Sequence, residues 1–192
     1  FNDPDRLKKI ESTYTLIDKI YKDYAEQNHF PGLVYGIVVD GKLVHAGGVG
    51  YTELTNKAEA SSRSEFRIAS MSKSFTAMAI LKLRDECKLR LDDSISFYIP
   101  EAKNMKRLTK DAPPLTIRNL LTHSAGFPED NPWGDRQLAD SDAQLLALIR
   151  RGLSFSNSPG ISYEYSNTGF AILAHILQTI TGETYEHYVT MH

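Results

Sequence analysis

Apolar positions in alternating steps of three and four open the chain: Leu7, Ile10, Tyr14, Ile17, Tyr21 and Tyr24 fall on one face of a helix over 4–27. Asp3 before Pro4 suits its start, because a side-chain acceptor followed by a proline fits the first turn. After Pro31 and Gly32 the period changes to two. The stretch "LVYGIVVDGKLVHAGG" reads as two strands joined by Asp40-Gly41, a pair that accepts the positive φ of a two-residue hairpin. Leu33, Tyr35, Ile37 and Val39 lie on one face of the first strand and Val34 and Val38 on the other, so both faces are expected to be buried. A polar link over 52–65 leads to "RIASMSKSFTAMAILKL", where Phe75, Ala77, Met78, Ala79, Ile80, Leu81 and Leu83 surround the axis on nearly all sides and predict a central helix. From there the pattern is helical. Asp92-Asp93 starts a short helix that Pro100 ends, Thr116 caps one through Leu121, and others run over 141–151 and 168–181, closed by Gly152 and Gly182. "THSAGFPEDNPWGDRQ" is a loop, and a last helix starts near Thr184 with no stop before His192.

The 192 residues are 41% hydrophobic and 24% charged with a formal net charge of -2, the profile of a globular domain with no excess of base. A nucleic-acid partner is therefore not expected, and pairs such as Lys8-Lys9 and Arg150-Arg151 read as solvated helix faces. No apolar run approaches the ~18 residues of a membrane span, so no transmembrane segment is expected. The chain opens on Phe1 with no basic-then-apolar leader, which implies a signal peptide already removed or never present. Cys87 is the one cysteine, leaves the compartment open, and is expected to act as a small apolar residue at the end of a buried helix.

Candidate chemistry begins with exclusions. "GIVVDGK" (36–42) imitates a phosphate-binding loop, but Leu43 stands where the cation-binding hydroxyl belongs and a strand follows, so it is a hairpin turn. There is no G-x-S-x-G elbow and no H-E-x-x-H, and the six histidines lack metal-ligand spacing. His123 and His175 read as satisfied structural histidines. Ser70-Met71-Ser72-Lys73 is an S-x-x-K, common enough by chance to prove nothing alone. Its place changes that. Lys73 returns one turn later to the face of Ser70, and the apolar residues after it predict dry surroundings in which an unpaired ammonium is costly. The plainer reading, that Ser70 or Ser72 is an N-cap, leaves Lys73 unexplained. A second weak motif, Tyr165-Ser166-Asn167, sits just before another apolar helix in "SYEYSNTGFAILAHIL". Its plainer readings are a packed aromatic for Tyr165 and a helix cap for Asn167.

Three blocks, "FRIASMSKSFTAMAILKLRDECKLRLDDSISFYIPE", "LTIRNLLTHSAGF" and "YSNTGFAILAHILQTITGETYEHYV", together resemble the serine β-lactamase-like superfamily, in the branch of class C β-lactamases, D-Ala-D-Ala carboxypeptidases, D-amino-acid peptidases and related esterases. The resemblance implies a mixed α+β fold of the β-lactamase/transpeptidase kind, an antiparallel sheet flanked by helices beside an all-helical part. It implies that Ser70 is the nucleophile, Lys73 the adjacent base, Tyr165 a partner in proton transfer and Asn167 a residue lining the acyl site. The Ser70 backbone N–H would hold the oxyanion. At pH 7 an unperturbed lysine costs ~4.6 kcal/mol and a tyrosine ~4 kcal/mol to deprotonate, so neighbours must ease either step. Two routes stay open: Lys73 as a cation eases loss of the Tyr165 proton, or Tyr165 receives the Ser70 proton through Lys73.

The implied activity is that of a serine hydrolase or acyl-transferase on a β-lactam, a D-amino-acid peptide or an ester, with no cofactor or metal, in a periplasmic or secreted setting. Which substrate it takes is expected to depend on cleft loops such as 129–136. The superfamily's third motif, K-T-G or H-x-G on a later strand, is missing after Tyr165, and His45-Ala46-Gly47 imitates it too early in the chain. That gap keeps open a binding or sensing domain that does not turn over. It also predicts that 1–192, a single domain made of a helix-and-hairpin part (1–51) and a helical part (66–192), is C-terminally incomplete, with further strands supplied by the rest of the chain or by another chain. The segment alone would then turn over little.

Overall fold

The computed structural model describes residues 3–130 and 141–192. It is a mixed α+β protein with a small antiparallel sheet and seven α-helices among the described residues. The chain forms two compact units, Phe1–Arg67 and Ile68–His192.

In the first unit the opening helix is broken into α1 (Arg6–Glu11) and α2 (Tyr14–Gln27). The hydroxyls of Ser12 and Thr13 donate back to the carbonyls of Lys9 and Ile10 (2.8 and 2.6 Å), a local alternative to the helical ladder that the spacing of apolar residues did not reveal. The Asp3 carboxylate accepts from the Asp5 amide (2.9 Å), and the helix proper begins at Arg6, two residues later than expected. Strands β1 (Gly32–Val39) and β2 (Lys42–Glu53) pair antiparallel about Asp40 and Gly41, whose φ values of 49 and 75° suit the two-residue turn. The polar link adds a short β3 (Ala58–Glu59) on the far side of β2.

One face of the hairpin is joined to α2. Asp18 of α2 accepts from the Tyr35 hydroxyl and pairs with His45 Nε2, both at 2.6 Å, while Tyr14 stacks on His45 and Tyr21 on Tyr35. An added Cβ at Gly47, opposite Tyr35, would lie 2.2 Å from the Tyr35 oxygen, so the Tyr35 ring could keep its place only against glycine. His45-Ala46-Gly47 is thereby used in packing this unit. The expectation that both faces of β1 are buried is not met: none of its residues is fully buried, and Val38 on the second face is 64% exposed, since the sheet has three strands and α2 packs on one of its faces.

The second unit holds the apolar core. Ile80, Leu83, Ile95, Ile99, Ile117, Leu120, Ile149, Ile172, Leu173, Ile176 and Leu177 are fully buried there. They come from α3 (Ser72–Asp85), α4 (Ile117–Leu121), α5 (Asp142–Arg151), α6 (Asn167–Thr181) and the turns between. A last helix, α7 (Tyr185–Met191), adds Tyr188. Capping follows the sequence: Thr116 with Asn119 and Ser141 with Gln144 form capping boxes, and Gly152 and Gly182 leave their helices at positive φ.

Three details differ from expectation. Helix α3 buries Thr76, Ala79, Ile80 and Leu83 on one face and leaves Phe75 and Met78 largely exposed, so it is not packed all round. The 92–100 stretch holds one 3-10 turn, Ile95–Phe97, capped by Ser94, and Pro100 does not end it but begins a second, Pro100–Asn104, where its missing N–H costs nothing. Cys87 is exposed, in the left-handed conformation just past the end of α3, and lines no core. No helix among the described residues is long and apolar enough to cross a membrane.

Candidate active site

Ser70 lies in the 3-10 turn Ala69–Met71 that feeds directly into α3. Ala69 before it is held at φ 46°, a left-handed conformation that costs an alanine roughly 1–2 kcal/mol. Ser70 is exposed, and neither it nor Ser72 caps α3, whose N-cap is Met71 without a side-chain bond. The capping reading of the serines therefore lapses.

The four predicted side chains meet. The Ser70 Oγ is 2.6 Å from the Tyr165 hydroxyl and 3.2 Å from the Lys73 Nζ, which in turn donates to Asn167 Oδ1 at 2.6 Å. Lys73 also lies over the Tyr165 ring, 4.7 Å from its centroid, and 5.7 Å from that of Phe170, so two aromatic faces share its charge. The dry pocket expected around Lys73 is not found. It is half-buried, and these partners take the place of desolvation as its surroundings.

What frees Asn167 for this contact is the way α6 begins. Its N-cap is Ser166, whose Oγ accepts from the Gly169 amide (3.0 Å), so Asn167 is the first helical residue and not the cap. The Asn167 and Thr168 amides donate to the Asp130 carboxylate at 2.7 and 2.8 Å, and the Ser166 hydroxyl does so at 3.1 Å. The Ser166 amide donates to His123 Nδ1 at 3.0 Å. All four amides that a helix leaves unpaired at its N-terminus thus find side-chain acceptors. Burial pushes the Asp130 carboxyl upward, but the Thr168 and Asn167 amides and hydroxyl donors outweigh it and hold the group below its ordinary value. Asn167 Nδ2, in contrast, is buried with no partner among the described residues.

Asp130 and His123 escaped the sequence reading. Asp130 stood in a loop judged by its polarity, and only the fold brings its carboxylate to a helix start 36 residues later. Of the cleft loop 129–136, residues 131–136 lie outside the described residues. His123 read as structural, and its left-handed φ of 54°, a conformation in which histidine is over-represented, is seen only in the structure.

Comparison with known proteins gives the site its context. A family model described as Beta-lactamase matches residues 17–192. "Protein flp" of Staphylococcus aureus (strain N315) is 34% identical over 176 residues, which make up 91% of this chain and 35% of that protein. The octameric penicillin-binding protein homologue from Pyrococcus abyssi superposes with a TM-score of 0.75 at 27% identity, over 92% of this chain and 41% of that one. A class C β-lactamase solved in complex with cefoxitin gives 0.75 at 25%, over 94% of this chain and 47% of that one. The chain spans about a third of the length of the curated relative, 35%, and less than half of each solved structure.

Proposed function

The chain belongs to the beta-lactamase family, and from that membership we propose that it is a serine hydrolase or acyl-transferase that forms an acyl-enzyme on Ser70. The observation that carries the reading is the meeting of the Ser70 hydroxyl with Tyr165 at 2.6 Å and Lys73 at 3.2 Å. A hydroxyl with two proton-exchanging groups in contact is set to lose its proton as it attacks. In the state where Tyr165 has given up its proton beside the Lys73 ammonium, the Ser70 Oγ bonds to the acyl carbon, its proton passes to the Tyr165 phenolate oxygen, and the carbonyl electrons move onto the carbonyl oxygen. Collapse of that oxyanion expels the amine or alcohol, which takes the proton back from Tyr165. The shorter contact favours this direct route, with the Lys73 ammonium stabilising the Tyr165 phenolate until it takes the proton. Asn167 holds Lys73 through Oδ1 at 2.6 Å and is read as lining the acyl site. The Ser70 amide, at the start of the turn leading into α3, serves the oxyanion.

β-Lactams, D-amino-acid peptides and carboxylic esters all suit this chemistry, and the cefoxitin held by the class C relative makes a β-lactam the first probe. We propose further that strands outside these 192 residues, in the same polypeptide or in another chain, carry the K-T-G or H-x-G motif that the site lacks here. The likeness to the penicillin-binding protein homologue from Pyrococcus abyssi favours a second reading, a penicillin-binding domain that acylates without turnover. Intact-mass spectrometry after exposure to a penicillin and to a p-nitrophenyl ester separates them. A transient adduct on Ser70, abolished by Ser70→Ala, supports the hydrolase; a permanent one supports the binding domain; labelling that survives Ser70→Ala refutes both.

A further inference from the structure

His123 touches the segment carrying Tyr165 on both sides of that residue. Its carbonyl accepts from the Glu164 amide (2.7 Å), and its ring Nδ1 accepts from the Ser166 amide (3.0 Å). Alternate amides of an extended segment face the same way, so one residue anchors the peptide units before and after Tyr165. The ring also lies against Tyr165, with centroids 4.7 Å apart and planes within 29° of parallel, and it contacts Phe170 at 5.0 Å and the edge of Tyr163 at 5.5 Å. We infer that His123 is a positioning residue for the acyl transfer proposed above: its neutral ring tethers and backs Tyr165 so that the phenol meets Ser70, and protonation of the ring releases the tether.

The chemistry of the contact requires the neutral state. A backbone amide can only donate, so Nδ1 must present its lone pair and the ring proton must sit on Nε2; an imidazolium has a proton on both nitrogens and can accept nothing. The charged and titratable groups around the ring are Lys73 from α3, Asp130 from the loop after α4, and Tyr163 and Tyr165 from the segment it anchors. The Glu164 carboxylate is engaged with Ser156 and Asn157. Burial first, and the Lys73 charge second, hold His123 below its ordinary value, against an opposing pull from Asp130. The tether is therefore made at neutral pH and lost on acidification below the usual histidine range.

Because this role rests on Ser70 acylation, the test follows the rate of the Ser70 adduct with a p-nitrophenyl ester by intact mass, from about pH 5 to 8. It uses the polypeptide with its full site, unmutated and as His123→Asn and His123→Phe. Asparagine tolerates the positive φ and its Oδ1 replaces the Nδ1 acceptor without titrating, so His123→Asn should keep most of the rate at the alkaline end and lose the acid limb. Phenylalanine keeps the stacked face without the acceptor, and loss of the anchor should slow acylation by up to about 10²-fold, the cost of a misplaced group. In the unmutated protein, imidazole nitrogen shifts should report the Nε2–H tautomer, with the Ser166 amide shifting as the ring titrates. This last measurement holds even if His123→Phe does not fold. An acid limb that persists in His123→Asn, or an Nδ1–H tautomer, overturns the role of His123 alone. No Ser70 adduct in the unmutated protein at any pH overturns the acyl-transfer reading, and the role of His123 with it.

Discussion

Replacing Asp130 should destabilise the second unit more than any other single polar change described here. Asp130 is 8% exposed, and its carboxylate receives the Asn167 and Thr168 amides and the Ser166 hydroxyl at 2.7, 2.8 and 3.1 Å. Hydrogen bonds to a charged acceptor contribute ~1.5–3 kcal/mol each, and three that share one acceptor do not add in full. Asp130→Ala leaves two amides of α6 facing an apolar gap, for an expected loss of about 3 kcal/mol. Asp130→Asn keeps the shape and one acceptor oxygen but turns its NH₂ toward donors, for about half that loss. Urea unfolding followed by circular dichroism measures both, and hydrogen exchange at Asn167 and Thr168 localises the effect. The pH dependence has a fixed sign. Because the folded carboxyl sits below its ordinary value, its contribution is complete above about pH 4 and is lost as pH falls through the lowered value, so wild type and Asp130→Ala should converge in acid. A difference under ~0.5 kcal/mol at neutral pH, the range of an ordinary surface change, or one that is independent of pH, would refute the reasoning.

Three further outcomes are expected. Tyr165→Phe should slow Ser70 acylation by a factor of ~10² or more while stability changes by less than ~1 kcal/mol, because the hydroxyl's main partner is the exposed Ser70; stopped-flow acylation beside urea unfolding checks the split. Gly182→Ala should cost about 1 kcal/mol in thermal or urea unfolding although nothing lies near its added Cβ, since φ 73° is strained for alanine; no loss would contradict the left-handed C-cap. Tyr35 and Tyr98 are pushed up to about 12, first by burial and then by hydrogen bonds to Asp18 and Asp93. Their support for the fold is complete below the ordinary tyrosine value of about 10 and is lost as pH rises toward 12, so ultraviolet titration should show two phenols ionising after the rest, and Tyr35→Phe and Tyr98→Phe should each remove one.

Sequence alone determined what depends on neighbours along the chain. The Asp40-Gly41 turn, the caps at Thr116 and Ser141, the glycine stops at 152 and 182 and the one-turn spacing of Ser70 and Lys73 are local, since each is written within a few residues of backbone geometry. Resemblance added Tyr165 and Asn167, whose own three-residue pattern is too short to be specific. Burial was misjudged where periodicity was asked to stand for neighbours: β1 and α3 are apolar on more sides than these residues cover, and a pattern of apolar side chains says that a face can be buried without saying what covers it. The break at Ser12-Thr13 was lost for a related reason, because two hydroxyls turning back on their carbonyls leave the spacing of apolar residues unchanged. Only the tertiary structure decided how α6 starts. Asp130 and His123 lie 36 and 43 residues before Ser166, and no local rule links them to it. With Ser166 they take the free amides at the start of that helix, so that Asn167 is left out of the cap and Tyr165 lies against Ser70, a choice made by long-range packing.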